Sequence, residues 1–586
     1  MQTFFSRLWA DKRFRVSCAA AAILCWAAHG FAYANTTFLH DRYCYFLPIS
    51  FDSVSRAKWM AQYWDYLTYF AYIPWLSGVL ITIFFILSVY MIVKVLDVRR
   101  PWAIWLIAGI CVTHSSVILA HMYWPTEILA ALPLAAASAW CWKKTERPIT
   151  WRMGMGAFFM GLSMASYGGY ASVGPSLVIG ALLLSLIDGG DWRELFRRGL
   201  EYVGTFLLGT VFYYAVLRLL LHIQNFELFA YYNENRLTED FPGAGEILSL
   251  VVTAYQTTLR YFRDQRVLML ALFLGLVLIF ARILRTGKKF LKPANLLLLA
   301  FLLGVLPLSV GLIYVLSFGS AHWLMLFGYA LPLILLASLL DRAYEPGESG
   351  PKGTLAWVEI LLSAVGLAAF IAVVYKALPA GAYTLRHVHL ALMAGLALYF
   401  LVPLVIAALP KKAGTERQEI WKHKRTFLHI PAFLLTVVLC VLAYRGVLTA
   451  NLAYVKMDQI DTTTKSMTTR IMERIEACEG FEGTETLTFA GSVSSNPYLV
   501  FDDGRPEQEA LFSELGTLYT DVGYTYASLL PVLLKTDSNN ALPMAYYDAA
   551  NYTPEEQELV AAMPVYPAND SVKKIGDTIV IKLSEE

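Results

Sequence analysis

The chain runs to 586 residues, of which 57% are hydrophobic and only 16% charged, with a mean hydropathy of +0.51. That balance excludes an ordinary water-soluble globular protein. The net charge of +2 averages two unlike parts: bases dominate the loops up to about residue 455, and beyond it acids outnumber bases by more than two to one. The shift separates a membrane domain, residues 1–455, from an α/β domain, residues 456–586.

The N-terminus carries Arg7, Lys12, Arg13 and Arg15, then an apolar run from Val16 to Tyr33. No small-residue cleavage site follows and further apolar runs do, so the segment reads as a retained signal anchor. A polar, aromatic-rich insert comes next, from Asn35 to Tyr69, with His40-Asp41, Asp52, Arg56, Lys58 and Asp65. Charge held beside a membrane span marks either a site or a solvated loop.

From there to residue 455, runs of about 20 apolar residues recur, each long enough to cross a bilayer as helix. About thirteen spans are expected, centred near residues 25, 85, 112, 135, 160, 180, 210, 276, 305, 332, 365, 398 and 438. Alternate connections are basic: Arg99-Arg100, Lys143-Lys144, Arg193 with Arg197-Arg198, Arg285 with Lys288-Lys289, and Lys411-Lys412 through Lys424-Arg425. The positive-inside rule puts these and the N-terminus in the cytoplasm, and an odd number of spans puts the tail outside. The spans near 160 and 180 are broken by glycines and meet at Ser166-Tyr167-Gly168-Gly169-Tyr170. Two readings of that junction stand side by side, a tight outside turn and a broken helix hairpin lining a cavity.

Four connections face outward. They are Asn35–Tyr69, the short segment with His121, Tyr123, Trp124 and Glu127, the long segment from His222 to about Arg266, and the turn from Ser317 to Trp323. Within the third, Leu248, Val251, Tyr255, Leu259 and Phe262 recur at helical spacing, as in an amphipathic helix lying on a membrane surface. In the tail, strands are expected at Thr486–Ala490 and Tyr498–Phe501, a helix at Pro554–Ala562, and a hairpin of Val572–Ile575 with Thr578–Leu583. The seven cysteines show no CxxC or Cys/His ligand spacing, so neither a zinc site nor a redox motif is supported. A Cys44–Cys478 disulfide requires that both face an oxidising compartment.

Glycine-rich nucleotide loops of the GxGxxG or GxxxxGK[ST] kind are absent, so a membrane enzyme of this kind draws its energy from its substrate. A lipid-phosphate sugar meets that requirement. Transfer from it needs a carboxylate to take the acceptor's proton, negative charge near an oxocarbenium-like transition state, and cations for the departing phosphate. Asp41 suits the first task, while Arg56, Lys58, His121, Arg236 and His322 are candidates for the last. Each has a plainer reading. Asp41 can be a solvated acid, Arg56 and Lys58 can reach lipid headgroups, and Glu127 can be a helix N-terminal acid favoured by the dipole. The histidines can be satisfied hydrogen-bonders. A divalent cation among Asp41, Glu127, Glu234, Glu239 and Asp240 needs a fold that brings them together; no other cofactor is indicated.

Several short motifs resemble one family. Phe31-Ala32-Tyr33-Ala34-Asn35-Thr36-Thr37-Phe38-Leu39-His40-Asp41 is followed by Ser55-Arg56-Ala57-Lys58-Trp59-Met60, and later by Ser166-Tyr167-Gly168-Gly169-Tyr170-Ala171. With Asn451-Leu452-Ala453-Tyr454, Phe489-Ala490-Gly491 and Met563-Pro564-Val565-Tyr566-Pro567 in the tail, the chain resembles the GtrII-like glucosyltransferases of the polytopic GT-C class. Lys58 stands where that family usually has arginine, a change that removes a bidentate phosphate contact. The resemblance implies inverting transfer of glucose from undecaprenyl phosphate to a surface glycan, with Asp41 as base and Glu127 as a second acid. Substrate contacts then fall to His40, Arg56, Lys58, Trp59, His121, Tyr167, Tyr170, Arg236 and His322. The expected setting is the bacterial cytoplasmic membrane, with a lipid-linked donor, a glycan acceptor and no nucleic acid. A lipid-sugar flippase or transporter, or a non-catalytic subunit of an envelope assembly complex, is the alternative, although no paired internal repeat of the carrier kind is visible.

Overall fold

The computed structural model describes residues 2–36, 53–67, 71, 73–229, 236, 242–286, 292–343, 354–377, 430–491 and 543–585. Apolar segments bounded by proline, capping acids or charged turns fold there as helices. These are α1 (Gln2–Ala10), α2 (Lys12–Ala34), α3 (Ala61–Tyr66), α4 (Pro74–Val95), α5 (Pro101–Thr113), α6 (Ser115–Ala120), α7 (Pro125–Lys143), α8 (Ile149–Tyr167) and α9 (Val173–Ile187). They continue as α10 (Trp192–Gln224), α11 (Ala244–Asp264), α12 (Arg266–Thr286), α13 (Pro293–Val310), α14 (Ile313–Leu316), α15 (Ala330–Ala343), α16 (Thr354–Ala377), α17 (Ile430–Glu476) and α18 (Pro554–Ala562). Proline opens α4, α5, α7 and α13, where its missing N–H is one that no helix could use. Asp11 caps α2 through the Arg13 N–H, and Asp191 caps α10 through Glu194.

Among the described residues, seven helices are long and apolar enough to cross a bilayer, and the bent pair α8–α9 makes an eighth if it is one span. The protein is therefore polytopic and helical. Every span centre expected from the sequence falls in or beside a helix except that near 398, which lies outside the described residues. The Ser166–Tyr170 junction is a sharp and largely buried bend. Here α8 and α9 meet at 100°, and Gly169 and Tyr170 are buried.

The helix ends gather into one basic end. Arg13 pairs with Asp97 at 2.9 Å and Lys94 with Asp11 at 3.2 Å. Buried Asp341 accepts the Arg99 and Arg100 N–H groups at 3.0 and 2.8 Å, an anion at the N-terminus of α5. Asp188 joins Arg342 at 2.9 Å and Arg282 at 3.5 Å. Midway to the other end, α8 and α10 approach through glycine. A Cβ on Gly209 would lie 2.9 Å from the Ala157 carbonyl oxygen, and one on Gly161 would lie 3.0 Å from that of Gly209. Toward the far end, His29 and His121 stack with ring centroids 4.0 Å apart. His29 Nε2–H donates to Val112 O and Nδ1 accepts from the Tyr454 hydroxyl; His121 Nδ1–H donates to Val117 O and Nε2 accepts from the Tyr33 hydroxyl. This buried network joins α2, α5, α6 and α17.

The amphipathic segment folds as α11, but its packed face is Leu250, Ala254, Thr258 and Phe262. Leu248 and Leu259, expected on the membrane-facing stripe, stand exposed with Val252, as suits lipid contact. At about 1.5 Å per residue α17 is roughly 70 Å long, more than twice a bilayer core. Its distal part carries a four-stranded sheet of order β2-β1-β4-β3 built from β1 (Thr486–Ala490), β2 (Met544–Tyr546), β3 (Val572–Ile575) and β4 (Thr578–Lys582). The strand expected at residues 498–501 and Cys44 lie outside the described residues. Arg474 of α17 ties helix to sheet, donating to Pro567 O at 2.7 Å and to Ser571 Oγ at 3.2 Å.

Two stability predictions follow from ion pairs. Arg152 meets Glu201 at 3.1 Å with both side chains nearly inaccessible, so Arg152→Met leaves a buried anion and is expected to cost about 3 kcal/mol. The Arg152→Met/Glu201→Met double variant should recover most of that loss in thermal unfolding in detergent. Glu485 is held well down, to about 2, by the Lys574 ammonium at 2.8 Å and by the N–H groups of residues 482 to 484. A lowered acid stabilises above its ordinary value and loses that contribution as pH falls. Sheet stability should therefore decline between about pH 4.5 and 2, and Glu485→Gln should flatten that decline.

Candidate functional site

The end of the bundle opposite the basic end is organised by the segment 53–67. Its turn depends on Ala57, which adopts a left-handed φ of 58°. That conformation lets the Lys58 N–H reach Ser53 O at 2.7 Å. The Tyr213 hydroxyl holds the Ala57 carbonyl at 2.9 Å, and Phe229 N–H donates to Ser55 O at 2.9 Å. Trp59 is buried with its ring edge-on to Phe212, so it fastens the turn to α10. Two further bonds attach the segment to the end of α8: Met60 N–H to Ala165 O at 3.0 Å, and Trp64 Nε1–H to Ser166 Oγ at 2.9 Å.

So anchored, α3 lies against the first turn of α7 and brings Asp65 to Glu127. Their carboxyl groups lie close enough to act directly on each other. Two carboxylates so placed repel each other, and a proton held between them removes that repulsion. Burial pushes Asp65 above the usual carboxylate range, while its interaction with Glu127 pulls the other way. The charges acting on Glu127 besides Asp65 are Lys58 and then Arg56. Lys58 Nζ sits 5.1 Å above the centre of the Tyr167 ring, and the Arg56 guanidinium 5.7 Å from that of Phe229. An acid pair with two cations beside it can take a proton from a hydroxyl and can hold an anion.

The other expected residues divide. Tyr167 belongs to the site as the ring under Lys58, whereas Tyr170 is fully buried and stacks on Phe327 at 5.2 Å, forming its rear wall. His322 caps the turn before α15 and stands edge-on to Tyr123, 5.8 Å away, close in sequence to Glu127. His121 is engaged in the histidine network, and Arg236 is bound to Glu246 at 2.6 Å over Phe318. Each is thus committed to its own partner. His40, Asp41, Glu234, Glu239 and Asp240 lie outside the described residues. Among the described residues no three His, Cys, Asp or Glu side chains come together to hold a metal.

Asp65 was the residue that sequence reasoning passed over as a site. It lies within the aromatic run Tyr63-Trp64-Asp65-Tyr66, and no spacing links position 65 to position 127.

The acid pair is half-buried, with a cationic flank, and sits on helices of the apolar bundle. The chain belongs to the glucosyl transferase GtrII family, whose model matches residues 30–334. That stretch contains the whole site, from the end of α2 into α15, and leaves out α16, α17 and the sheet. No curated protein and no solved structure matches the chain. Family membership makes the protein a membrane glucosyltransferase.

The left-handed Ala57 supplies a direct check. Ala57→Gly relieves the backbone and should keep or raise the melting temperature with activity intact. Ala57→Val, β-branched and buried at positive φ, should cost about 2 kcal/mol and lower glycosyl transfer by displacing Lys58.

Proposed function

We propose that the protein moves glucose, or another hexose, from a polyprenyl-phosphate donor to a hydroxyl of a cell-surface glycan, with inversion at the anomeric carbon. The reaction is placed at the outer face of the bacterial cytoplasmic membrane. In this reading the basic end faces the cytoplasm, the Asp65–Glu127 end faces outward, the chain crosses about thirteen times, and residues 456–586 form an outer domain. Membership of the GtrII family supports the glucosyl group. Apolar helices on every side of the site support a donor carried on a lipid.

The observation that carries the chemistry is the close Asp65–Glu127 pair with Lys58 and Arg56 beside it. The acceptor oxygen bonds to the anomeric carbon on the face opposite the phosphate. The carbon–oxygen bond to phosphate breaks, and its electron pair leaves on the lipid phosphate. The hydroxyl proton passes to a carboxylate. The resemblance gives that role to Asp41; the geometry supports the ionised member of the Asp65–Glu127 pair, whose charge also lies where an oxocarbenium-like centre would form. Lys58 and Arg56 take the developing phosphate charge.

A transfer assay with lipid-phosphate glucose separates these roles. Glu127→Gln and Asp65→Asn should each lower kcat by about a hundredfold or more, and Lys58→Gln should raise KM for the donor. Undiminished turnover in both acid variants would remove the pair from the reaction, and undiminished turnover in Asp41→Asn would remove Asp41 as base. Flipping or uptake in liposomes without any sugar transfer would favour a carrier instead.

A further inference from the structure

Behind the rear wall of the acid pair lies a second polar region to which the transfer reading gives no part. A row of rings leads to it: Tyr167 to Tyr170 at 6.0 Å, Tyr170 to Phe327 at 5.2 Å, and Phe327 to His114 at 5.7 Å. His114 lines a cavity of about 440 Å³ enclosed by the end of α5, α6, the α11–α12 junction, α15 and α17. At roughly 30 Å³ per water, that is space for a ligand rather than for a bridging solvent molecule.

Three features of the lining favour an anion: its arginines, the engagement of its one acid, and a helix start. Arg266 and Arg445 both border the cavity. Asp264 borders it too, but that carboxylate is engaged by Arg263 at 3.0 Å and Arg260 at 3.5 Å, so the lining remains net positive. Residues 266 to 268 are the first turn of α12 and line the cavity, and their N–H groups precede the first intrahelical acceptor. His114 also borders the cavity, with its Nδ1 engaged by the Ser116 Oγ at 2.8 Å.

A further observation is independent of the helix end. The Thr449 hydroxyl lines the same cavity, the residue is 3% exposed, and the hydroxyl has no hydrogen-bond partner among the described residues. A buried hydroxyl in that condition costs stability unless something else satisfies it. Leu268, Leu333 and Leu442 supply an apolar side to the cavity. The neighbouring surface of α17 and α12, at Val441, Tyr444, Leu448 and Met269, is exposed and apolar, as a lipid-facing surface is.

We propose that this cavity binds the phosphate headgroup of a membrane lipid, with the phosphate between Arg266 and Arg445 and the apolar portion against Leu268, Leu333 and Leu442. The site is separate from the acid pair and does not depend on how transfer proceeds. The test uses the purified full-length protein in a neutral detergent, with native mass spectrometry of bound dihexanoyl phosphatidylglycerol. Wild type and Lys58→Gln should bind it alike. The Arg266→Gln/Arg445→Gln double variant should bind at least about tenfold more weakly, and Thr449→Val a few-fold more weakly. Arg445→Lys controls for folding and should retain binding; Thr449→Val is near-isosteric and should melt no lower than wild type. Equal binding by the double-arginine variant and wild type, or loss of binding in Lys58→Gln, would overturn the proposal. Displacement by inorganic phosphate at the same concentration would overturn the lipid as occupant and leave a free phosphate in its place.

Discussion

Two carboxyl groups held against each other repel unless a proton lies between them, and the far end of this bundle is arranged around that constraint. Asp65 reaches Glu127 only because α3 is carried on a turn fixed at Ala57, pinned by Trp59 to α10 and bonded to the end of α8. Lys58 and Arg56 offset the charge that the pair retains. Loss of any of these fastenings would let the acids separate and ionise independently. The site is thus a property of the segment's docking as much as of the acids themselves.

The remainder of the membrane part holds that docking surface rigid. At the basic end, Asp341, Asp188, Asp97 and Asp11 each bind cations or N–H groups from other segments, so the helix ends are cross-tied. At the other end, the stacked His29–His121 pair does the same work with neutral groups, each ring nitrogen having a defined partner. The glycines of α8 and α10 bring the two helices that receive Trp59 and Met60 close enough to form one support. Fold and site are coupled through that pair of helices.

Much of this architecture was legible in the chain. Apolar runs, opening prolines and basic connections located the helices, because each reports a local preference. The short strand β1 and the hairpin β3–β4 were legible for the same reason. Glu127 was legible as an acid at a helix start, and Lys58 and Arg56 as bases beside a motif. What was not legible depended on pairing between distant segments. Nothing local tells that Asp65 meets Glu127, that His121 is taken up by Tyr33 and His29, or that Arg236 is engaged by Glu246. Trp59, expected as a substrate contact, packs edge-on to Phe212, a pairing that no local signal gives. On α11 the buried stripe lies beside the expected one, because a helix that touches protein on one side and lipid on the other can present apolar residues to both.

A proton held between Asp65 and Glu127 can be observed without any substrate. Infrared spectroscopy of the purified protein at neutral pH should show a protonated-carboxyl stretch that is shifted or lost in each of Asp65→Asn and Glu127→Gln. A spectrum in which neither substitution alters that band would mean that the two acids do not share a proton, and would contradict the account of the site.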